Sequence, residues 1–317
     1  MYSAGIDVGG TASKFGLVSA DGQMLAEGRQ PANPGEPLPD LFGRLRRDLE
    51  RMAVAQGLAY PPPGGVGVGV AAIVDHRSGW LRLAGTLNLE NCDLRGAAER
   101  ALDCRVVVDC DSNAGALADL YWGRAREARN LLYITWGTGI GAGLALNRRL
   151  YRSVGCSMGE FGHIPVEWDH PRLCYCGCRG CLEAEATGRA MEQQMSERLG
   201  HPISVQEMAG RAAAGDRQCC DALERSARLL ARALAGALAL LNPDCVVLGG
   251  GVSRCLPLVR PQFDEELEMH SAWFAREGLT IALSDFPDSA GMLGAAMLPR
   301  HQAEEESYYA VTPNVHG

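Results

Sequence analysis

The sequence predicts an α/β protein of two similar lobes with a cleft between them, and three observations carry that expectation. An apolar strand, a Gly/Thr turn and a returning strand occur twice, as IDVGGTASKFGLV and ITWGTGIGAGLAL, which marks an internal duplication. Each copy leads into helical and short apolar runs in alternation, the pattern of an α/β unit. The 317 residues are 47% hydrophobic and 21% charged. That is room for two ordinary domains or one large α/β unit with a substantial core.

The elements follow in chain order. Residues 3–8 read as a strand ending in Gly9-Gly10-Thr11, residues 13–19 as its partner, and 23–29 as a third strand after the Asp21-Gly22 turn. Pro31 to Pro39 reads as a loop. In residues 40–57, apolar positions 41, 42, 45, 49, 52 and 53 have helical spacing. GGVGVGVAAIV is a Gly-laced buried strand, 93–103 a helix, 105–109 a strand and 112–122 a helix. The second meander then runs through LLYITW, Gly137-Thr138-Gly139, GAGLAL, Asn147-Arg148 and RLYRSV. Helices are expected near 187–199, 204–213 and 216–241. The last carries Leu223, Ala227, Leu230, Leu234, Leu238 and Leu241 on one face and stops at Asn242-Pro243. DCVVLGGGVS is a strand running into three glycines, LTIAL a further strand, 289–306 a closing helix, and YYAVTPNVHG a loose tail.

Charge narrows the function classes. With 30 Lys plus Arg against 38 Asp plus Glu, the net charge is −8, a poor footing for gripping a phosphodiester backbone. No apolar run approaches the ~20 residues of a membrane span. The segment MYSAGIDVGG has neither the basic region nor the apolar stretch of a secretory leader, so the expected location is the cytosol. Twelve cysteines there point to free thiols or metal before disulfides. Lys14 is the sole lysine beside 29 arginines. Its survival hints at a need for a compact ammonium on a flexible stem.

Three constellations could do chemistry. The two Gly/Thr turns lack bulky side chains, so their N–H groups can approach phosphate oxygens as an anion nest. Asp7 precedes the first turn, where a carboxylate suits Mg²⁺ held partly through water. A third turn, Gly249-Gly250-Gly251, follows a buried strand. In CYCGCRGC, Cys174, Cys176 and Cys181 share a turn-rich loop, and zinc favours four such donors in a tetrahedron. Spacing alone leaves open whether His163, His170 or Cys178 completes the set. In VVVDCDSNAGALAD a strand delivers Asp109 and Asp111 at its C-terminal end, with Asn113 starting a helix. That is the edge where open α/β sheets bind ligands. Alternation places both carboxylates on one strand face if the strand extends that far.

Taken together these motifs resemble the ROK family (repressors, open reading frames and sugar kinases), within the sugar kinase/heat-shock-70/actin superfamily. DVGGTASK is similar to its DxGGTxxK phosphate motif and GTGIGAG to its second phosphate loop. GEFGH with CYCGCRGCLE is similar to its GExGH…CxCGxxGCxE signature, and LNPDCVVLGGGVS to its adenosine-side motif. The resemblance spans roughly residues 3–300. It implies two actin-like (ribonuclease H-like) lobes with a nucleotide and sugar cleft and a zinc-bound loop. Residues 1–115 plus the C-terminal helix of about 290–317 would form the small lobe, and 116–289 the large one.

The same resemblance implies an ATP-dependent hexose kinase acting at C6, with glucose as default and allose, N-acetylmannosamine or fructose as alternatives. Asp111 corresponds to the catalytic base. His163, Cys174, Cys176 and Cys181 correspond to the ligands of a structural Zn²⁺, with Cys178 at a variable position. Asn88, Glu160, His163 and Glu183 correspond to residues holding sugar hydroxyls. Asp7, Gly9, Gly10, Thr11, Lys14, Gly137, Thr138, Gly139, Gly249, Gly250 and Gly251 would serve ATP and Mg²⁺. Family members are often homodimers.

Two departures stand out. Cys110 occupies the place of an Asn before the base, and Ala71-Ala72 that of Pro-Gly. A thiol is a weak donor and acceptor, and losing one neutral hydrogen bond costs ~0.5–1.5 kcal/mol. That shifts which sugar fits without abolishing phosphoryl transfer. A sugar-sensing repressor of this family would carry a helix-turn-helix segment ahead of DxGGT, where only six residues precede Asp7. A sugar-binding member without turnover is the other alternative, motivated by Cys110.

Overall fold

The computed structural model describes residues 1–153 and 159–311, with side chains through Tyr308. The expected strand end at Val154 and the tail from residue 312 lie outside the described residues. The chain divides into two compact units. One comprises Met1–Glu127, Gly143–Met158 and Asp288–Gly317, the other Ala128–Ala142 and Gly159–Pro287.

In the first stretch, β1 (Tyr2–Val8), β2 (Ala12–Ser19) and β3 (Met24–Pro31) form the expected meander, followed by α1 (Leu38–Ala55) and β4 (Val66–Val70). Three short strands, β5 (Ile73–Asp75), β6 (Trp80–Ala84) and β7 (Leu89–Asp93), make a small separate sheet. Then come α2 (Leu94–Leu102), β8 (Val106–Cys110) and α3 (Asp111–Tyr121). The second series is β9 (Leu131–Trp136), β10 (Ile140–Leu146), β11 (Arg149–Leu150), α4 (Leu182–Ala186), α5 (Gly188–Leu199), α6 (Val205–Ala213) and α7 (Arg217–Leu241). It continues through β12 (Cys245–Gly249), α8 (Leu256–His270), β13 (Thr280–Leu283) and α9 (Ala290–Val311).

The two large sheets correspond strand for strand. Their orders are β3-β2-β1-β4-β8 and β11-β10-β9-β12-β13. In the first, β1 pairs antiparallel with β2 and parallel with β4. In the second, β9 and β13 both run parallel to β12. The duplication seen in the sequence is therefore a duplication of topology.

Each core follows from side-chain period. On α1 the buried positions are Leu38, Leu41, Phe42, Leu45, Leu49 and Ala53, an i, i+3, i+4 stripe against the first sheet. On α7, Asp216 caps the start by accepting from the Gln218 and Cys219 amides. Leu223, Ala227, Leu230, Leu234 and Leu238 are buried along it. Asn242 ends it with a left-handed φ of 40°, and Pro243 cannot continue it. In the first unit α9 lies against β1, β4 and α3. Gly294 makes that approach possible, because a Cβ there would strike the Ala114 carbonyl.

Several local expectations are corrected. Pro39 belongs to the first turn of α1 and not to a loop, since proline's missing N–H costs nothing there. GGVGVGVAAIV is two strands, β4 and β5, because the Ala72 amide folds back to the Val70 carbonyl at 2.8 Å. The third strand of the second meander is only Arg149–Leu150. Strand β8 stops at Cys110 and Asp111 opens α3, so Asp109 and Asp111 do not share a strand face. Residues 308–311 continue α9 instead of starting the tail.

Candidate functional site

In the first unit the candidate residues gather at one end of the parallel strands. Asp7 is the penultimate residue of β1 and lies directly opposite Lys14 on β2. The turn between them is closed by Gly9 N donating to the Ala12 carbonyl at 3.2 Å. Gly10 is packed on Thr86, whose Cβ would lie 2.5 Å from a Cβ added at position 10. This brings the segment carrying Asn88 against the first Gly/Thr turn. Asn88 itself is exposed, with a left-handed φ of 54°. The Lys14 ammonium donates to the Asp288 carbonyl at 2.5 Å, just ahead of α9.

Electrostatics ties three of these groups together. Burial first, and then the charge of Asp111, push the Asp7 carboxyl up to about 7, against the lowering effect of Lys14. A carboxylate so placed keeps its proton up to about neutral pH, and a cation joining it favours the ionised form. Asp7 thus senses both Lys14 and Asp111.

The two carboxylates of the β8–α3 junction have different fates. Asp109 is buried; its Oδ1 accepts from Cys110 N and from Asn113 Nδ2, both at 2.8 Å. Its Oδ2 accepts from Arg152 Nε at 2.8 Å, and Arg152 in turn reaches Glu305 on α9 at 2.8 Å. Asp111 Oδ1 accepts from the Ser112 amide at 2.8 Å, which fixes the carboxylate at the start of α3. Between them, the Cys110 thiol has its ionisation suppressed by burial and by both neighbouring acids. Ser112 Oγ is its neighbour at 3.7 Å.

In the second unit two glycine turns converge. Gly137 lies beside Gly250 and Gly251, whose atoms would sit 3.7–3.8 Å from a Cβ added at position 137. Gly250 has φ of +82° and rests on the Trp136 backbone, a conformation and a contact that both demand glycine. The Gly137 carbonyl accepts from Gly188 N at 2.8 Å, and Trp136 Nε1 donates to the Ala186 carbonyl at 3.0 Å. Thr138 and Gly251 are exposed.

The thiol-rich loop closes into a cluster. The ligand atoms of His163, Cys174, Cys176 and Cys181 all lie within 4.8 Å of one another. Cys176 Sγ is 3.7 Å from Cys181 Sγ, and Cys174 Sγ is 3.6 Å from His163 Nδ1. Tetrahedral zinc with bonds of about 2.3 Å to sulfur and 2.0–2.1 Å to nitrogen separates its donors by about 3.8 and 3.6 Å respectively. The donor set and its spacing fit Zn²⁺. His170 and Cys178 are not in the cluster. His163 Nε2 is left facing the Tyr175 hydroxyl at 3.1 Å and the Glu160 carboxylate at 3.6 Å.

Glu183, two residues after Cys181, accepts from the Ile140 amide at 2.7 Å, immediately after the Gly137–Gly139 turn. Burial raises its pKa, and that amide acts the other way.

The sequence reading missed Thr86, Tyr175, Arg152 and Asp288. Tyr175 was discoverable, since it stands between two of the cysteines. The other three meet their partners only through the fold.

A solved structure of a ROK family glucokinase from Streptomyces griseus, in complex with glucose and AMPPNP, shares this architecture. Its TM-score is 0.81 at 27% identity, covering 95% of this chain and 99% of that one. The fold is thus that of the ROK sugar kinases. The ROK family model matches residues 3–302, and the chain belongs to the ROK family. An N-acetyl-D-glucosamine kinase from Escherichia coli is 31% identical over 303 residues, 93% of this chain and 98% of that protein. A xylose repressor from Caldicellulosiruptor bescii is 28% identical over 305 residues, 92% of this chain and 76% of that protein.

Proposed function

We propose that this chain is an ATP-dependent sugar kinase that transfers the γ-phosphoryl group to the C6 hydroxyl of a hexose, with glucose as first candidate and Asp111 as general base. The observation that supports the reading is the position of Asp111: it opens α3 where β8 ends, and its charge acts on the buried Asp7 carboxyl. Asp111 accepts the hydroxyl proton and aims the oxygen in line with phosphorus. Because phosphoryl transfer passes through a loose transition state, positioning and charge stabilisation carry most of the acceleration.

The remaining roles are those that the family motifs imply. Gly9, Gly10, Thr11, Gly137, Thr138, Gly139, Gly249, Gly250 and Gly251 offer backbone and hydroxyl donors to the nucleotide, and Lys14 adds positive potential. Asp7, raised by burial and by Asp111, is the residue that would hold Mg²⁺, which supplies charge neutralisation on the phosphates. Asn88, Glu160, His163 and Glu183 hold the sugar hydroxyls. Zinc on His163, Cys174, Cys176 and Cys181 is structural, because four protein donors leave no position for water. The enzyme works as a cytosolic homodimer. Among the described residues no helix is long and apolar enough to cross a membrane.

The test measures ADP release with glucose, allose, mannose, fructose and N-acetylated hexosamines, with Asp111→Asn as control. Turnover by the wild type that survives in Asp111→Asn removes the base assignment. The similarity to a repressor favours one second reading, a sugar-binding regulator. Calorimetric sugar binding with no ADP release from any hexose selects it.

A further inference from the structure

A short stretch after the metal cluster, Cys181 to Gly188, is bonded at several points to the second glycine turn and its neighbours. Cys181 directly precedes α4, and Leu182 N donates to the Ile164 carbonyl at 2.9 Å, one residue from His163. From the second residue of α4, the Glu183 carboxylate takes the Ile140 amide at 2.7 Å. At its end, the Ala186 carbonyl takes Trp136 Nε1 at 3.0 Å, and Gly188 N donates to the Gly137 carbonyl at 2.8 Å. The carboxylate occupies the room that two glycines leave: a Cβ added at Gly139 would lie 3.2 Å from its Oε1, and one at Gly162 would lie 2.9 Å from its Oε2. Within the turn itself the bond is Gly137 N to the Gly139 carbonyl at 3.0 Å.

From this geometry we infer that Glu183 is a positioning residue. It transmits the rigidity of the His163–Cys174–Cys176–Cys181 cluster to the Gly137–Thr138–Gly139 turn, so the metal loop governs nucleotide affinity as well as sugar affinity. A bond to a carboxylate is about twice as strong as a neutral one. It therefore dominates the order of a turn whose own glycines resist none of the alternatives. The role rests on the kinase reading only in its nucleotide part; the mechanical coupling stands independently.

The experiment has two arms. Hydrogen–deuterium exchange on the zinc-loaded protein follows the peptide spanning residues 131–146, with α7 as internal control for global opening. Glu183→Ala and chelated wild type are expected to exchange about tenfold faster at this peptide, while Glu183→Gln, which retains an acceptor oxygen, stays near wild type. Glu183→Leu replaces the alanine variant if that one opens α7 as well. In the second arm, a fluorescent ATP analogue without sugar should bind about tenfold more weakly to Glu183→Ala and to chelated protein, and within about threefold of native to Glu183→Gln.

Unchanged exchange at 131–146 after chelation and in Glu183→Ala, or a glutamine variant as impaired as alanine, overturns the coupling. Wild type that fails to bind the analogue overturns the kinase reading and the nucleotide part, while the exchange arm still decides the coupling.

Discussion

Asp109 and Arg152 form a buried ion pair, Oδ2 to Nε at 2.8 Å, two residues before Asp111 at the start of α3. Side-chain exposure is 4% for Asp109 and 12% for Arg152, so removing the Asp109 charge leaves the buried Arg152 to its second carboxylate, Glu305. Asp109→Asn should destabilise the protein by ~1–3 kcal/mol, read by denaturant unfolding. Asp111→Asn should leave stability nearly unchanged and lower kcat by ~10²–10⁴. Interchanged phenotypes would reverse the two assignments.

Asp7 gives stability a distinctive pH slope. Its folded value is about 7 against an ordinary 3.8. Between these values the folded chain keeps a proton that the unfolded chain has released. Stability therefore falls as pH rises from about 4 to about 7 and levels off above. His76 acts oppositely: burial and Arg152 lower its pKa from 6.5, so its contribution is lost on acidification. Comparing wild type with Asp7→Asn, both free of metal and nucleotide, cancels His76. Their thermal midpoints should converge toward pH 4 and separate by pH 8, with wild type lower. Parallel profiles would show that Asp7 titrates normally.

Metal removal should act through the loop and not through chemistry. Cys176→Ser or chelation is expected to lower zinc content below one per chain and weaken sugar binding ~10-fold. Cys178→Ser should change neither, because Cys178 stands outside the four-donor cluster. Elemental analysis beside calorimetric sugar titration makes the comparison. A metal-free Cys176→Ser protein with native sugar affinity would rule out the supporting role.

Cys110 sits between Asp109 and Asp111, where a thiol contributes little hydrogen bonding. Cys110→Asn should change the ratio of kcat/KM between hexoses by up to ~10-fold, the equivalent of one neutral hydrogen bond. An unaltered ratio across the hexose panel would mean that position 110 does not face the sugar.

Elements that announce themselves by local period were legible. The amphipathic stripe of α7, the two meanders and the cysteine loop all follow from residue spacing within a few turns. Helix α8 was not: it contains Pro257 and Pro261, a residue type that interrupts the local helix signal. One stands in the first turn, where a missing N–H is harmless, and the other is carried by packing against α7. Strands β6 and β7 escaped for a different reason. The burial of β6 does not alternate, and β7 has no fully buried residue, so no period-2 signal marks them.

The order of residues by itself determined the duplicated sheet, the family and the roster of candidate groups, since these depend on short-range patterns and motif spacing. Only the tertiary structure decided which carboxylate is consumed by Arg152, 43 positions away, and that Glu183 reaches back 43 positions to the Ile140 amide. Hydrogen bonds and desolvation act through space at a few ångströms. Linear spacing carries no record of which distant segments arrive within that range.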